Sequence, residues 1–119
     1  MSFRFEKLEV WQQARKFAVK IYKVTSDFPK DERFSLVDQL RRAAISIALN
    51  IAEGSDRKSD KEFIRFLRVA IGSIEEVVTG LYISFDLEYL SKEEFDKLYE
   101  EANILASRIN ALINKLKKQ

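Results

Sequence analysis

Read for its apolar and polar positions, the chain divides into four helical segments. In the first, from about Glu6 to Thr25, Val10, Trp11, Ala14, Phe17, Ala18, Ile21, Tyr22 and Val24 share one broad arc of a helical wheel. Gln12, Lys16, Lys20 and Lys23 take the other side, and Ser26-Asp27-Phe28-Pro29 ends the segment, because a residue before proline is pushed out of the α region. The second segment spans about Asp31 to Glu53, with a diffuse acidic start at Asp31-Glu32-Arg33 and Gly54 as the expected C′ stop. The third opens on Ser59…Glu62, which has the form of a capping box, and runs to about Leu87. Its core stripe is Phe63, Phe66, Leu67, Ala70, Ile74, Val77, Val78, Leu81 and Phe85. Gly72 and Gly80 weaken it locally and are read as places where a neighbouring helix comes close. A second box, Ser91…Glu94, opens the fourth, whose narrow stripe is Phe95, Leu98, Ala102, Leu105, Ile109, Leu112, Ile113 and Leu116. It closes on Lys115, Lys117 and Lys118, the favourable end for cations. Short connections between long helices make neighbours antiparallel. The expected fold is all-α, an up-down-up-down four-helix bundle occupying residues 1–119 as one domain.

Helix two is unusual. Leu36, Val37, Leu40, Ala43, Ala44, Ile47, Ala48, Ile51 and Ala52 spread over roughly 180° of the wheel, more than one monomeric bundle covers. Helix one has a similar surplus. Soluble proteins seldom leave such surface wet, so the surplus predicts self-association. On its other side runs a narrow polar line, Gln39, Arg42, Ser46, Asn50 and Glu53. It reads either as a solvated face or as a hydrogen-bonded seam at a subunit contact. The short side chains favour the seam, since solvent faces elsewhere in the chain use Lys, Arg and Glu.

Composition narrows the chemistry. The 119 residues include no Cys and no His, which leaves no disulfide, no thiolate or imidazole metal site and no Ser-His-Asp triad. The Glu-x-x-His pairs of a di-iron bundle are equally out of reach. Adjacent carboxylates such as Glu75-Glu76 point about 100° apart on a helix and do not converge on a metal. No enzyme activity, cofactor or metal is expected. The start of the chain lacks the apolar core of a signal peptide, and no run approaches the roughly 18 residues of a membrane span, so a cytoplasmic location without membrane contact is expected. With 21 basic and 19 acidic residues the net charge of +2 implies no partner. Residues 1–68 hold 15 basic and 10 acidic side chains, and residues 69–119 hold 6 and 9, a mild polarity.

One group of cations stands out. Lys61, Arg65 and Arg68 lie within about 60° on helix three, opposite Phe63 and Leu67. Arg57 and Lys58 precede them in the loop, and Arg41 and Arg42 sit on the adjoining helix. Such a line suits a phosphate backbone read without sequence preference, and it is also what any charged helix face shows. Asp56, Asp60 and Glu62 dilute it, and no aromatic ring is expected among the charges. The candidate nucleic-acid residues are therefore Arg41, Arg57, Lys58, Lys61, Arg65 and Arg68.

The run from Gln39 to Gly54 (Gln-Leu-Arg-Arg-Ala-Ala… Asn-Ile-Ala-Glu-Gly) resembles a known family, as do Arg57 and the Ser59…Glu62-Phe63 opening. So do Phe5…Leu8…Trp11, the Phe28-Pro29 break and Gly72-Ser73…Glu75-Glu76. Together, over nearly the whole chain, they are similar to the bacterial four-helix proteins encoded in intervening sequences of 23S ribosomal RNA genes. The accessory subunit of diversity-generating retroelements is similar in fold. The resemblance implies a homo-oligomer, a pentameric ring, with no established enzymatic activity. Through the retroelement relative it also implies nucleic acid and a reverse transcriptase as partners. Two function classes stand side by side: a nucleic-acid-associated oligomeric accessory protein, and a purely protein-binding or structural ring using apolar surface and the acidic Glu93, Glu94, Glu100 and Glu101.

Overall fold

The computed structural model describes residues 2–119. Four helices carry the fold: α1 (Glu9–Thr25), α2 (Leu36–Ser55), α3 (Asp60–Asp86) and α4 (Lys92–Lys117), with single 3-10 turns at Arg4–Lys7 and Lys30–Glu32. They form an antiparallel up-down-up-down bundle in which each helix packs on its sequence neighbours and α1 closes onto α4. No strand occurs among the described residues. The core is built from one stripe per helix: Ile21 from α1, Leu40, Ile47 and Ile51 from α2, Leu67, Val77 and Leu81 from α3, and Ile109 from α4, all fully buried.

Three helix ends depart from expectation. α1 begins at Glu9, not Glu6, because Leu8 is extended (ψ 123°) and Arg4–Lys7 makes its own turn. That turn is tied down from afar, with Arg4 Nη1 donating to the Ser55 carbonyl at 2.9 Å. α2 begins at Leu36, five residues later than Asp31. Its expected acidic start is used elsewhere: Glu32 accepts the Ser35 hydroxyl at 2.7 Å and the Tyr89 hydroxyl at 2.8 Å, strutting this turn against the α3–α4 turn. Those bonds hold the Glu32 carboxyl below its ordinary range, the Ser35 hydroxyl contributing most and Tyr89 next, and Glu32 in turn raises the Tyr89 phenol.

Gly54 is the third. It does not end α2 in a left-handed conformation; α2 runs through it to Ser55, and no glycine has positive φ. Its missing side chain matters sideways, since a Cβ there would meet Phe66 Cβ at 2.7 Å and Phe63 Cδ1 at 2.9 Å. Gly80 plays the expected close-approach role, a Cβ reaching Leu40 Cδ2 at 2.5 Å. Gly72 does not, for among the described residues no neighbouring helix comes within 4 Å of where its Cβ would be. The two expected capping boxes differ: at Ser59 only the serine half forms, and Glu62 does not reach back to the Ser59 amide. Ser59 Oγ accepts the Glu62 amide, and at Ser91 both halves of the box form, each at 3.0 Å.

Candidate nucleic-acid interface

The α2–α3 turn, the first turns of α3 and the last turn of α4 meet at one end of the bundle. There Lys61, Arg65 and Arg68 line an open cleft of about 750 Å³ together with Ile64, Leu116 and Lys117, and Asp60 and Glu62 at its rim offset part of the charge. The i, i+4, i+7 spacing puts the three α3 cations on one face, away from buried Phe63 and Leu67. Lys117 joins them because antiparallel packing brings the end of α4 beside the start of α3. Arg57 and Lys58 stand in the turn next to the cleft.

Two of the cations are held by a ring. The guanidinium of Arg57 lies 4.8 Å from the Phe66 ring centre and that of Arg65 lies 5.1 Å from it. An aromatic is thus interleaved with the charges after all. Its periodicity had placed Phe66 in the core stripe, and it is only half-buried there, at the edge facing Gly54. Planar guanidinium groups held against an aromatic face keep their outer N–H edges free for phosphate oxygens. Arg57 also approaches Glu53 at 4.0 Å, a long exposed pair worth little.

Arg41 does not join this group. It sits on α2 some 14 residues before the helix ends at Ser55, about 21 Å at 1.5 Å per residue. There its Nε donates to Thr25 Oγ1 (3.0 Å), its Nη2 donates to the Tyr22 carbonyl (3.2 Å), and it lies over the Tyr22 ring. It closes the C-terminal end of α1.

Cutting each helix at its midpoint reveals an arrangement that the linear sequence hides. The half of the bundle holding residues 1–17, 46–73 and 105–119 has 13 basic and 6 acidic residues, a net +7. The other half, residues 18–45 and 74–104, has 8 basic and 13 acidic residues, a net −5. Along a body 46 Å long, the charge is separated end to end.

The polar line on α2 splits by function. Ser73 Oγ on α3 donates to Ser46 Oγ at 2.9 Å, and Asn50 Nδ2 donates to the Ser46 carbonyl (2.8 Å) and hydroxyl (3.0 Å). Within the chain, then, Ser46 and Asn50 already have partners, Asn50 bonding back along α2 and only Ser73 reaching Ser46 across from α3. Arg42 pairs with Asp38 at 2.9 Å on its own helix, and Gln39 and Glu53 remain exposed.

The surplus apolar surface lies on the opposite flank of α2. A groove of about 730 Å³ runs between α1 and α2, floored by Ala18, Ala48 and Ala52 and walled by Trp11, Tyr22 and Leu49. Val19, Ile45 and Leu49, the last 56% exposed, extend it and were not in the expected arcs. The signal was available: on the wheel Ile45 and Leu49 lie beside Ala48 and Ala52, and including them widens the apolar arc of α2 well beyond 180°. No group of three or more metal-ligating side chains converges among the described residues, and no described helix is long and apolar enough to cross a membrane.

Comparison with known proteins adds the following. Residues 6–111 match the profile of the family described as 23S rRNA-intervening sequence protein. No curated protein matches the chain. Among solved structures, the chain is similar to a crystal structure, at 1.70 Å resolution, of a protein of unknown function from the S23 ribosomal protein family of Bacteroides thetaiotaomicron. The two share 24% identity with a TM-score of 0.78, over 87% of this chain and 97% of the other, a likeness of fold.

Proposed function

The chain belongs to the 23S rRNA-intervening sequence protein family, and we propose that it serves as a non-enzymatic, self-associating accessory protein that holds nucleic acid by its phosphate backbone. The observation that carries this reading is the end-to-end separation of charge, with Lys61, Arg65, Arg68 and Lys117 around one cleft and Arg57 fixed beside it on Phe66. The residues around the cleft act here as a line of positive charge, so binding is sequence-tolerant and weakens steeply with salt as counterions are released. The apolar α1–α2 groove supports self-association, since a patch of this kind is rarely left to water. Assembly, as the pentameric ring that the family resemblance implies, multiplies the basic cleft, and several weak contacts to one strand raise avidity by a factor on the order of 10² or more.

A salt titration of binding to structured RNA and to duplex DNA tests the proposal, comparing the chain with its Lys61→Glu/Arg65→Glu/Arg68→Glu variant. All three side chains are exposed, so the variant keeps its helix content and is expected to lose binding. Equal affinity and equal salt slope would remove α3 as the contact surface. If neither protein binds at about 50 mM salt, the reading as a protein-binding ring replaces it. Light scattering on the same samples checks assembly, and a mass near 13.9 kDa rules out stable association.

A further inference from the structure

The acidic end of the bundle has a surface that the nucleic-acid reading does not use. Between Val69 and Ser107 the chain contains no arginine, two lysines and nine carboxylates. Both lysines are engaged on their own helix, Lys92 with Asp96 at 2.8 Å and Lys97 with Glu93 at 3.3 Å. This stretch has no free cation of its own, and the lysines nearest to it, Lys20 and Lys23 of α1, line a cleft with Asp96 and Glu100 on the far side of α4 from Tyr82.

In the middle of it, where α3 ends and α4 begins, four aromatic side chains gather. Tyr82, Phe85 and Tyr99 stand 4.8, 5.3 and 5.9 Å from the ring of Phe95. Phe95 is buried and anchors the group, while Tyr82 and Tyr99 remain 49% and 40% exposed. Asp86 lies one turn beyond Tyr82 on α3, and exposed Asp96 and Glu100 flank Tyr99 on α4. Four other outer aromatic rings of the chain are treated differently, whereas exposed Phe3 is stacked on Phe5. Trp11 carries Arg15, Tyr22 carries Arg41, Phe34 carries Arg33, and Phe66 carries both Arg57 and Arg65. The ledge of Tyr82, Phe85 and Tyr99 presents the same rings, with carboxylates added and the arginine missing.

We propose that this ledge docks an arginine-rich segment of a protein partner. A guanidinium stacks on a tyrosine face and offers paired N–H donors to a carboxylate at its edge, which an ammonium cannot do in the same fixed geometry. Tyr82 and Tyr99 provide the faces; Asp86, Asp96 and Glu100 provide the acceptors. A second copy of the chain is the poorer occupant, because two of the arginines at its basic end, Arg57 and Arg65, already sit on Phe66. The proposal stands apart from the basic cleft, and either can fail without the other.

The test uses the full chain and fluorescein-labelled nona-arginine, with nona-lysine as the charge control, read by anisotropy. Nona-arginine is expected to bind more tightly. Tyr82→Ala/Tyr99→Ala, which removes both faces and leaves every charge, should weaken it roughly 5- to 30-fold, the loss of two exposed cation–π contacts, and Tyr82→Phe/Tyr99→Phe should retain it. Equal affinity for the two peptides, or unchanged binding by the double alanine variant, overturns the proposal. So does a fall in assembly mass for that variant, which would make a second copy the occupant of the ledge. Should the alanine variant lose helix content, Asp86→Lys/Glu100→Lys replaces it, with weaker nona-arginine binding expected and undiminished binding contrary.

Discussion

The seam between α2 and α3 and the seam between α1 and α4 are both contacts of antiparallel helices in one bundle, yet they are built on different principles. At α2–α3 the helices come close because side chains are missing or short: Gly54 under Phe63 and Phe66, Gly80 under Leu40, and Ser46 bonded to Ser73. At α1–α4 a cleft of about 280 Å³ remains, lined by Gln13, Lys16, Lys20, Glu101 and Arg108 among others. Gln13 Oε1 and Glu101 Oε2 are enclosed there without a hydrogen-bond partner. Lys20 pairs with Glu101, and Arg108 reaches Glu9 only at 3.9 Å. Close steric fit makes a seam sensitive to one added methyl, whereas a seam bridged by long charged side chains absorbs changes. The first and last helices can therefore part before the middle pair does, while the basic cleft, set between α3 and α4, lies outside both of these seams.

The contrast can be broken most sharply at Gly54. Gly54→Ala places a methyl against Phe66 Cβ, an atom fixed to the α3 backbone, so the helices must separate. A loss of about 1–3 kcal/mol in urea unfolding is expected despite the better helix propensity of alanine. Ser73→Ala comes next: it removes one hydrogen bond across the same seam while Asn50 still satisfies Ser46, and should cost about 1 kcal/mol. Lys20→Met on the other seam should change stability by no more than about 0.5 kcal/mol, because its pair is half-exposed. If it costs as much as Gly54→Ala, the contrast between the seams is wrong.

The last and smallest effect concerns pH and the strut between the two turns. Glu32 has a folded-state pKa below its unfolded value, so its contribution is present above the unfolded carboxylate range and is lost as pH falls through the lowered folded value. Tyr89 is raised, so its contribution is present below the ordinary phenol range and is lost as pH climbs through the raised folded value. Tyr89→Phe should lower the neutral plateau slightly and flatten the acid limb by the same small amount, the two profiles converging at low pH. An acid limb identical to that of the unaltered chain would mean that the strut carries no linkage.

How far the sequence foretold all this depends on whether the cause was local. The four helices, the Ser91…Glu94 box and the common face of Lys61, Arg65 and Arg68 follow from spacing within one helix, and they stand as expected. The starts of α1 and α2 were misplaced because they are set by bonds to residues 51 and 57 positions away, Arg4 to Ser55 and Tyr89 to Glu32. Gly54 reads as a helix stop in one dimension because its partner, Phe66, lies across a turn. Arg41 looked like part of the basic group, and only the placement of Tyr22 and Thr25 shows that it serves the end of α1. The charge separation is hidden in the linear sequence for a topological reason. Each reversal of the chain returns it to the other end, so a linear count mixes the two poles that folding sorts.

Trp11 is the only tryptophan in the chain, and it stands in the wall of the α1–α2 groove with Phe5 against it at 4.8 Å and Arg15 over its ring. The protein thus has a built-in optical gauge at that groove and nowhere else. Emission excited selectively at the indole reports whether the groove is wet or covered, shifting to the blue as water leaves, while the basic cleft and the tyrosine ledge stay dark to it. Three surfaces can be followed in one molecule without a label on the first.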